Sequence, residues 1–219
     1  MGVYTGALGI GYNKDMLERL GLPAPTGWED LTKPIYKGEI QMANPNSSGT
    51  AYTALATLVQ IYGEEKAFDF LTRINANINT YTKSGSAPIK AAARGETAIA
   101  IAFQHDIVAL KVQGFPVEIV SPKEGTGFEV GSMDIIEGGP NPEAAKEFYE
   151  WALLASTQEL MEQARAFQVP SNVNATPPAV APDLSQINLI DYDFQTYGSV
   201  DVRTGLITRW NNEIGSLPR

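Results

Sequence analysis

Three polar residues follow a short apolar run near the middle of the chain. The run, Ala98 to Phe103, has the length and apolar character of a strand buried on both faces. Gln104, His105 and Asp106 come directly after it, where open α/β sheets place ligand-contacting groups. His105 and Asp106 are therefore candidate hydrogen-bonding partners for a polyhydroxylated ligand. The residues leave two alternatives open. His105 and Asp106 could be an acid/base pair, or they could have a purely structural role where the strand connects to the helix.

A second group of candidates precedes a helical pattern that begins at Thr50. Ser48, Gly49 and Thr50 would form the start of this helix. A helix start offers amide groups, hydroxyls and the positive end of the helix dipole to an anion, and glycine allows close approach. The alternative is that Ser48 only caps the helix. No lysine follows Gly49, so the segment is not a P-loop.

Patterns typical of enzymes and metal centres are missing from the sequence. No serine lies in a G-x-S-x-G motif, and the chain has one histidine and no cysteine, which excludes thiolate chemistry and zinc-finger spacing. Glu129 lies between a glycine-rich loop and an extended run, and on its own it would be an ordinary exposed glutamate. Tyr4 and Tyr12, next to glycines, would line a cleft or pack on a neighbour.

Composition limits the classes of partner. The 219 residues are 43% hydrophobic, enough for a globular core, and the net charge is -9. Such an acidic chain argues against a nucleic-acid or anionic-membrane surface. No apolar stretch approaches the roughly 20 residues of a spanning helix, so we expect no membrane insertion.

Strand and helix patterns alternate along the chain, which predicts an α/β fold. Predicted strands are Val3 to Tyr12, Glu39 to Ala43, Ile78 to Lys83, Ala98 to Phe103, Val117 to Val120 and Val130 to Ile136. Predicted helices are Lys14 to Leu20, Thr50 to Tyr62, Glu64 to Asn77, Ser84 to Gly95, Ile107 to Gln113, Asn141 to Leu154, Thr157 to Phe167, Tyr192 to Gly198 and Asp201 to Ile214.

Six segments, in order, resemble those of one protein family. They are G-Y-N-K-D-M-L-E-R-L-G-L-P-A-P at 11–25, G-W-E-D-L-T-K-P-I-Y-K-G at 27–38, A-N-P-N-S-S-G-T at 43–50, K-S-G-S-A-P at 83–88, R-G-E-T-A-I-A-I at 94–101 and N-P-E-A-A-K-E-F-Y-E-W at 141–151. On these segments the chain resembles the periplasmic solute-binding proteins of bacterial ABC importers, in the branch of ferric-iron and hexose-phosphate binders.

The resemblance implies a type II periplasmic-binding-protein fold, in which two α/β lobes joined by crossing strands close on a ligand. Residues 1–12 would be the hinge or crossing strand, and 13–129 the α/β ligand-binding second lobe. Residues 130–190 would hold a return crossing and a helical remnant of the first lobe. Residues 191–219 would be C-terminal helices that pack back on the second lobe.

Family members carry a further stretch of about domain size before the position of Val3. We therefore expect this chain to lack most of the first lobe, and its half site to bind ligand weakly. The helices from Asn141 to Phe167 would expose an apolar face, which favours self-association as a dimer.

The resemblance also assigns the candidate residues. Iron-binding relatives place adjacent tyrosines near Phe103 and Gln104, which offer no phenolate here. His105, Asp106 and Glu129 are instead similar to the groups that hydrogen-bond sugar hydroxyls in hexose-phosphate binders. Ser48, Gly49 and Thr50 match the loop that holds the phosphate, in agreement with the anion site expected from the residues.

We therefore predict a non-enzymatic solute-binding component of an ABC importer, without cofactor or metal, that binds a sugar phosphate or similar phosphorylated metabolite. Its further partner would be an ABC permease, and its location the periplasm, both by resemblance. A ferric-ion-binding importer component and a ligand-free, self-associating scaffold domain are the alternatives.

Overall fold

The computed structural model describes residues 1–217 of the chain, in which strands alternate with helices. The strands are β1 Gly2–Asn13, β2 Ile40–Ala43, β3 Ile78–Thr82, β4 Ile99–Phe103, β5 Val117–Val120, β6 Phe128–Ser132 and β7 Val169–Pro170. The helices are α1 Lys14–Leu20, α2 Gly49–Tyr62, α3 Glu64–Asn75, α4 Ala87–Ala93, α5 Gln104–Val112, α6 Pro142–Leu153, α7 Ala155–Gln158, α8 Phe194–Tyr197 and α9 Val200–Trp210. No helix between residues 1 and 217 is long and apolar enough to cross a bilayer.

Five strands form the main sheet in the order β3-β2-β4-β1-β5. β2 runs parallel to β3 and β4, whereas β1 runs antiparallel to β4 and β5. Every residue of β4 is buried, because helices cover both faces of the sheet there. Leu55 and Leu58 of α2 belong to the core cluster on one face, and Ile89 and Ile107 belong to the cluster on the other.

The long strand β1 belongs to two sheets. Its second half, Leu8 to Asn13, pairs with β4 and β5 in the main sheet. Its first half pairs with β6 on one side and, at Tyr4 and Thr5, with β7 on the other. At the change of partners the Gln104 side chain donates a 3.0 Å hydrogen bond to the Leu8 carbonyl. β1 therefore connects the main sheet to a smaller three-stranded one.

Several element boundaries agree with the sequence pattern because local chemistry sets them. Asn13 accepts a hydrogen bond from the Met16 amide at the start of α1, and Gly21 ends that helix in the left-handed conformation with φ 64°. The Ser48 hydroxyl accepts from the Ala51 amide at 3.3 Å and caps α2. The expectation that Ser48 is a cap is thus confirmed.

The segment after α6 differs from the prediction. The eleven-residue helix expected over Thr157 to Phe167 is wrong: the chain forms the single turn α7 and a 3₁₀ turn, Glu159–Met161. Tertiary contacts override the helical pattern, because buried Gln158 accepts a 2.9 Å hydrogen bond from the Asn172 amide. Arg165, at φ 55°, is in the left-handed region that ends regular helix.

Several further boundaries are shifted: α4 is shorter at both ends than the predicted helix over Ser84 to Gly95, and α9 ends at Trp210 rather than Ile214. α5 begins at Gln104 and not at Ile107, so His105 and Asp106 lie in the first turn of a helix rather than in a loop before it. β6 ends at Ser132, four residues before the predicted end at Ile136. Element boundaries are the part of a fold that sequence patterns predict least well.

α6 presents apolar side chains to solvent. Phe148, Trp151 and Leu154 are 61%, 48% and 52% exposed, and Ile136, in the preceding loop, is 83% exposed. The Phe148 and Trp151 rings lie 5.4 Å apart. We call the surface formed by Ile136, Phe148, Trp151 and Leu154 the α6 face.

Candidate functional site

One cleft of about 530 Å³ brings together the six residues predicted to bind ligand, whereas Tyr4 and Tyr12 are not among its lining residues. It lies where the N-termini of α2 and α5 and the loop after β3 approach the strand β6. Its lining residues are Ser47, Ser48, Gly49, Thr50, Lys83, Ser84, Gly85, Ser86, Phe103, His105, Asp106 and Glu129.

The start of α2 forms one end of the cleft. Since the Ser48 hydroxyl caps Ala51, the first two amides of the helix, at Gly49 and Thr50, keep no hydrogen-bond partner among the described residues. A Cβ on Gly49 would meet no other atom within 4 Å, so the approach to these amides is open. Free amides and the helix dipole make this end suited to an anion.

The loop Lys83–Ser86 completes this end and was not among the predicted site residues. Ser47 Oγ donates a 3.0 Å hydrogen bond to the Lys83 carbonyl and ties the loop to α2. Gly85 packs so closely that a Cβ there would overlap the Thr50 hydroxyl. The segment K-S-G-S was visible in the sequence as a helix start. However, only the parallel pairing of β2 with β3 brings it beside Ser48.

His105 forms the other end of the cleft with Asp106 and Glu129. The His105 ring is 8% exposed, stacks on Phe103 at 5.4 Å and lies over Gly6, where a Cβ would be 2.6 Å from Nδ1. Nδ1 has no hydrogen-bond partner within residues 1–217. Burial lowers the pKa of His105 to about 4, so the imidazole is neutral at neutral pH. The Asp106 carboxylate, 4.0 Å from Nε2, does not offset this burial.

Asp106 and Glu129 are partly buried carboxylates. Burial raises the pKa of Asp106, and the nearby Lys90 charge acts in the opposite direction. Burial also raises the pKa of Glu129; a hydrogen bond from Tyr4 lowers it, and the Asp106 charge raises it. The Tyr4 hydroxyl donates to Glu129 Oε1 at 3.1 Å. Both carboxylates can accept hydrogen bonds from a hydroxylated ligand.

The cleft thus has an end rich in donors and an end rich in acceptors. Lys83 is the one cationic side chain among its lining residues in the described part of the chain. No group of three or more His, Cys, Asp or Glu side chains within residues 1–217 could hold a metal ion. A cleft with several convergent polar groups is a candidate ligand-binding site.

The comparison with protein families also indicates ligand binding. Residues 1–196 match the family described as bacterial extracellular solute-binding protein. The chain therefore belongs to the bacterial extracellular solute-binding proteins. Because the family is defined by binding of solutes, the prediction of a binding protein rather than an enzyme is confirmed at the level of the family.

Individual relatives support the same family. An uncharacterised protein of Haemophilus influenzae is 45% identical over 214 residues, which are 97% of this chain and 62% of that protein. The spermidine/putrescine-binding periplasmic protein of Escherichia coli is 22% identical and is covered to 58% of its length. The chain thus spans about three fifths of the length of these curated relatives.

Solved structures share the fold. The periplasmic binding protein AfuA from Actinobacillus pleuropneumoniae, with exogenous fructose-6-phosphate bound, is 47% identical with a TM-score of 0.96, over 99% of this chain and 68% of AfuA. The periplasmic binding protein P5PA is 41% identical with a TM-score of 0.93, over 97% of this chain and 68% of P5PA. Apo ferric ion-binding protein A of Pasteurella haemolytica, 21% identical with a TM-score of 0.78 over 97% of this chain and 68% of that one, shows the fold alone. The predicted type II periplasmic-binding-protein fold is confirmed.

Proposed function

We propose that the chain is the solute-binding component of an ABC importer and binds a sugar phosphate or a similar phosphorylated metabolite. It would act in the periplasm and deliver its ligand to a permease. Ser48, Gly49 and Thr50 would hold the phosphate, and His105, Asp106 and Glu129 would accept or donate hydrogen bonds to the hydroxyls.

A single observation carries this proposal: the predicted phosphate-binding residues and the predicted hydroxyl-binding residues line the same cleft, at its two ends. At one end lie free amides, serine and threonine hydroxyls and the Lys83 ammonium group. At the other lie a neutral imidazole and two carboxylates. A phosphate fits the first end, since helix dipoles and amides bind phosphate without arginine. Sugar hydroxyls fit the second, and the fructose-6-phosphate held by AfuA is a ligand with both ends.

The same cleft does not favour ferric ion. Ferric ion prefers hard oxygen ligands such as phenolates, whereas Phe103 stacks on His105 and the Gln104 side chain is used in a hydrogen bond to Leu8. Phe103 lines the cleft without offering an oxygen. We therefore expect ferric ion to give no stabilisation in the binding test.

The domain boundaries remain proposals. We infer that residues 1–12, most of β1, are the crossing strand and that residues 13–129 form the ligand-binding lobe. The division of β1 between two sheets supports the first assignment. Residues 130–190 would hold the return crossing and the remnant of the other lobe. Residues 191–219, the last two of which lie outside the described part of the chain, would be C-terminal helices that pack back on the ligand-binding lobe. Tyr52, whose hydroxyl donates to the Tyr197 carbonyl, supports that packing.

A thermal-shift screen tests the proposed ligand class. The chain is heated with fructose 6-phosphate, fructose, inorganic phosphate or ferric ion. A ligand at hundredfold excess over its dissociation constant stabilises the fold by about 2.7 kcal/mol. We expect the largest shift with the sugar phosphate, and a smaller one in Thr50→Val.

Thr53→Val, one turn further along α2 and outside the cleft, is the matched control and should keep the full shift. Equal shifts with fructose and fructose 6-phosphate would contradict the phosphate assignment. A shift with ferric ion alone would favour the iron-binding alternative.

A further inference from the structure

On one face of the antiparallel pair β1–β6, Tyr4 and Glu129 each lie opposite a glycine. In the antiparallel register, Tyr4 is opposite Gly131 and Gly6 is opposite Glu129. Positions 4 and 6, like 129 and 131, share a face because strand side chains alternate. Each large side chain thus faces a glycine on the neighbouring strand.

The two glycines leave the space that the site residues fill. A Cβ on Gly131 would overlap the Tyr4 ring, so the ring lies directly over its cross-strand neighbour. A Cβ on Gly6 would be 2.6 Å from His105 Nδ1, so the imidazole occupies the space beside Glu129. The pattern Y-T-G on one strand and E-V-G on the other therefore builds the acceptor end of the cleft.

Tyr4 contacts two of the three proposed hydroxyl-binding side chains. Its hydroxyl donates to Glu129 Oε1 at 3.1 Å, along the diagonal of the ladder. Its ring meets the His105 ring edge-on, with centroids 6.1 Å apart and planes at 78°. The Thr5 hydroxyl holds the Glu129 carbonyl at 2.8 Å, so the backbone of that residue is fixed as well. Tyr4 itself is not among the residues that line the cleft.

We propose that Tyr4 is a positioning residue that orients the Glu129 carboxylate for ligand binding. This rests on the proposed function of the cleft. A donor to one oxygen leaves the other to accept from a ligand and favours the charged form. The negative charge of Asp106 disfavours the charged form of Glu129. Neutral His105 and the Lys83 ammonium group are the other titratable side chains that line the cleft.

The test compares Tyr4→Phe with Tyr12→Phe, which removes a tyrosine hydroxyl from the same strand but outside the cleft. In the ligand-free protein, the titration of Glu129 is followed by carbon NMR of its carboxyl group. We expect its pKa to rise in Tyr4→Phe, because the hydrogen bond that favours the charged form is lost, and to stay unchanged in Tyr12→Phe. An unchanged Glu129 pKa in Tyr4→Phe would overturn the proposal.

Calorimetry with fructose 6-phosphate supplies the second readout. We expect affinity at slightly alkaline pH to fall roughly threefold to tenfold in Tyr4→Phe, and binding to weaken at a higher pH than in the wild type as the solution is acidified. Gly131→Ala, which displaces the ring but keeps the hydroxyl, should have the same two effects.

The outcomes separate the two claims. Wild-type protein that binds no sugar phosphate contradicts the proposed function, while the NMR titration still tests the role of Tyr4. Wild-type binding with an unchanged affinity and pH profile in Tyr4→Phe contradicts the role of Tyr4 alone.

Discussion

At the scale of single residues, His105 is an imidazole buried without a full set of partners. Its ring is 8% exposed and Nδ1 has no hydrogen-bond partner within the described residues. A buried histidine that lacks a partner resists protonation. The residue is therefore suited to neutral hydrogen bonding, and we expect it to reduce stability in acid.

The first prediction concerns this pH dependence. Unfolded His105 takes up a proton near pH 6.5, whereas the folded residue resists protonation until about pH 4. Between pH 6.5 and about pH 4 the unfolded state binds more protons than the folded state. The stability that neutral His105 allows is therefore fully present above pH 6.5 and is lost as the pH falls towards 4. Up to about 3 kcal/mol of the free energy of unfolding should depend on this group.

Urea denaturation at several pH values across that window measures the effect. His105→Gln should lose less stability than the wild type on acidification. Asp106 and Glu129 titrate in both proteins, so the difference between the two curves isolates the histidine. Identical pH profiles would contradict the assignment of a buried, neutral imidazole.

At the scale of elements, the sequence predicts what local chemistry decides. Caps and apolar periodicity predicted α1, α2, α3 and β4 to within about two residues, as expected for boundaries of this kind. The prediction of a helix over Thr157 to Phe167 was wrong, because the contact of Gln158 with Asn172, distant in sequence, determines the conformation of that segment. The contact of Tyr4 with Glu129 and the place of Lys83–Ser86 in the cleft were not predicted for the same reason, since strand pairing alone brings these residues to the site.

The second prediction concerns the contact between the Lys83–Ser86 loop and α2. Gly85→Ala places a methyl group against the Thr50 hydroxyl and should displace the loop from the helix start. We expect affinity for fructose 6-phosphate to fall by about tenfold or more, with a destabilisation of about 1–3 kcal/mol from overpacking.

Gly205→Ala is the control, because a Cβ at that position on α9 meets no other atom within 4 Å. It should bind like the wild type and unfold no more easily, since alanine favours a helix. Wild-type affinity in Gly85→Ala would show that the loop is not part of the anion end. Calorimetry and chemical denaturation give the two quantities.

At the scale of the whole molecule, the polar cleft and the apolar α6 face are different kinds of surface. Scattered exposed apolar residues are normal, but the four side chains of the α6 face come from one helix, the residue that ends it and the loop before it. A second copy of the chain offers the same face, and a two-fold dimer pairs it with itself.

The third prediction is therefore concentration-dependent self-association. Sedimentation should detect dimers whose fraction rises with protein concentration, and the double variant Phe148→Glu, Trp151→Glu should remain monomeric. Val112→Glu and Val200→Glu, at 50% and 78% exposed positions elsewhere, should associate like the wild type. A wild type that stays monomeric at all concentrations would contradict self-association through this face.

The central claim is that one cleft recognises both ends of a phosphorylated sugar. Isothermal calorimetry with fructose 6-phosphate and with fructose measures this directly. We predict saturable binding of the phosphorylated sugar at one site per chain, and binding of fructose weaker by at least about tenfold, which is about 1.4 kcal/mol. Equal affinity for the two sugars, or heat from neither, would contradict the account.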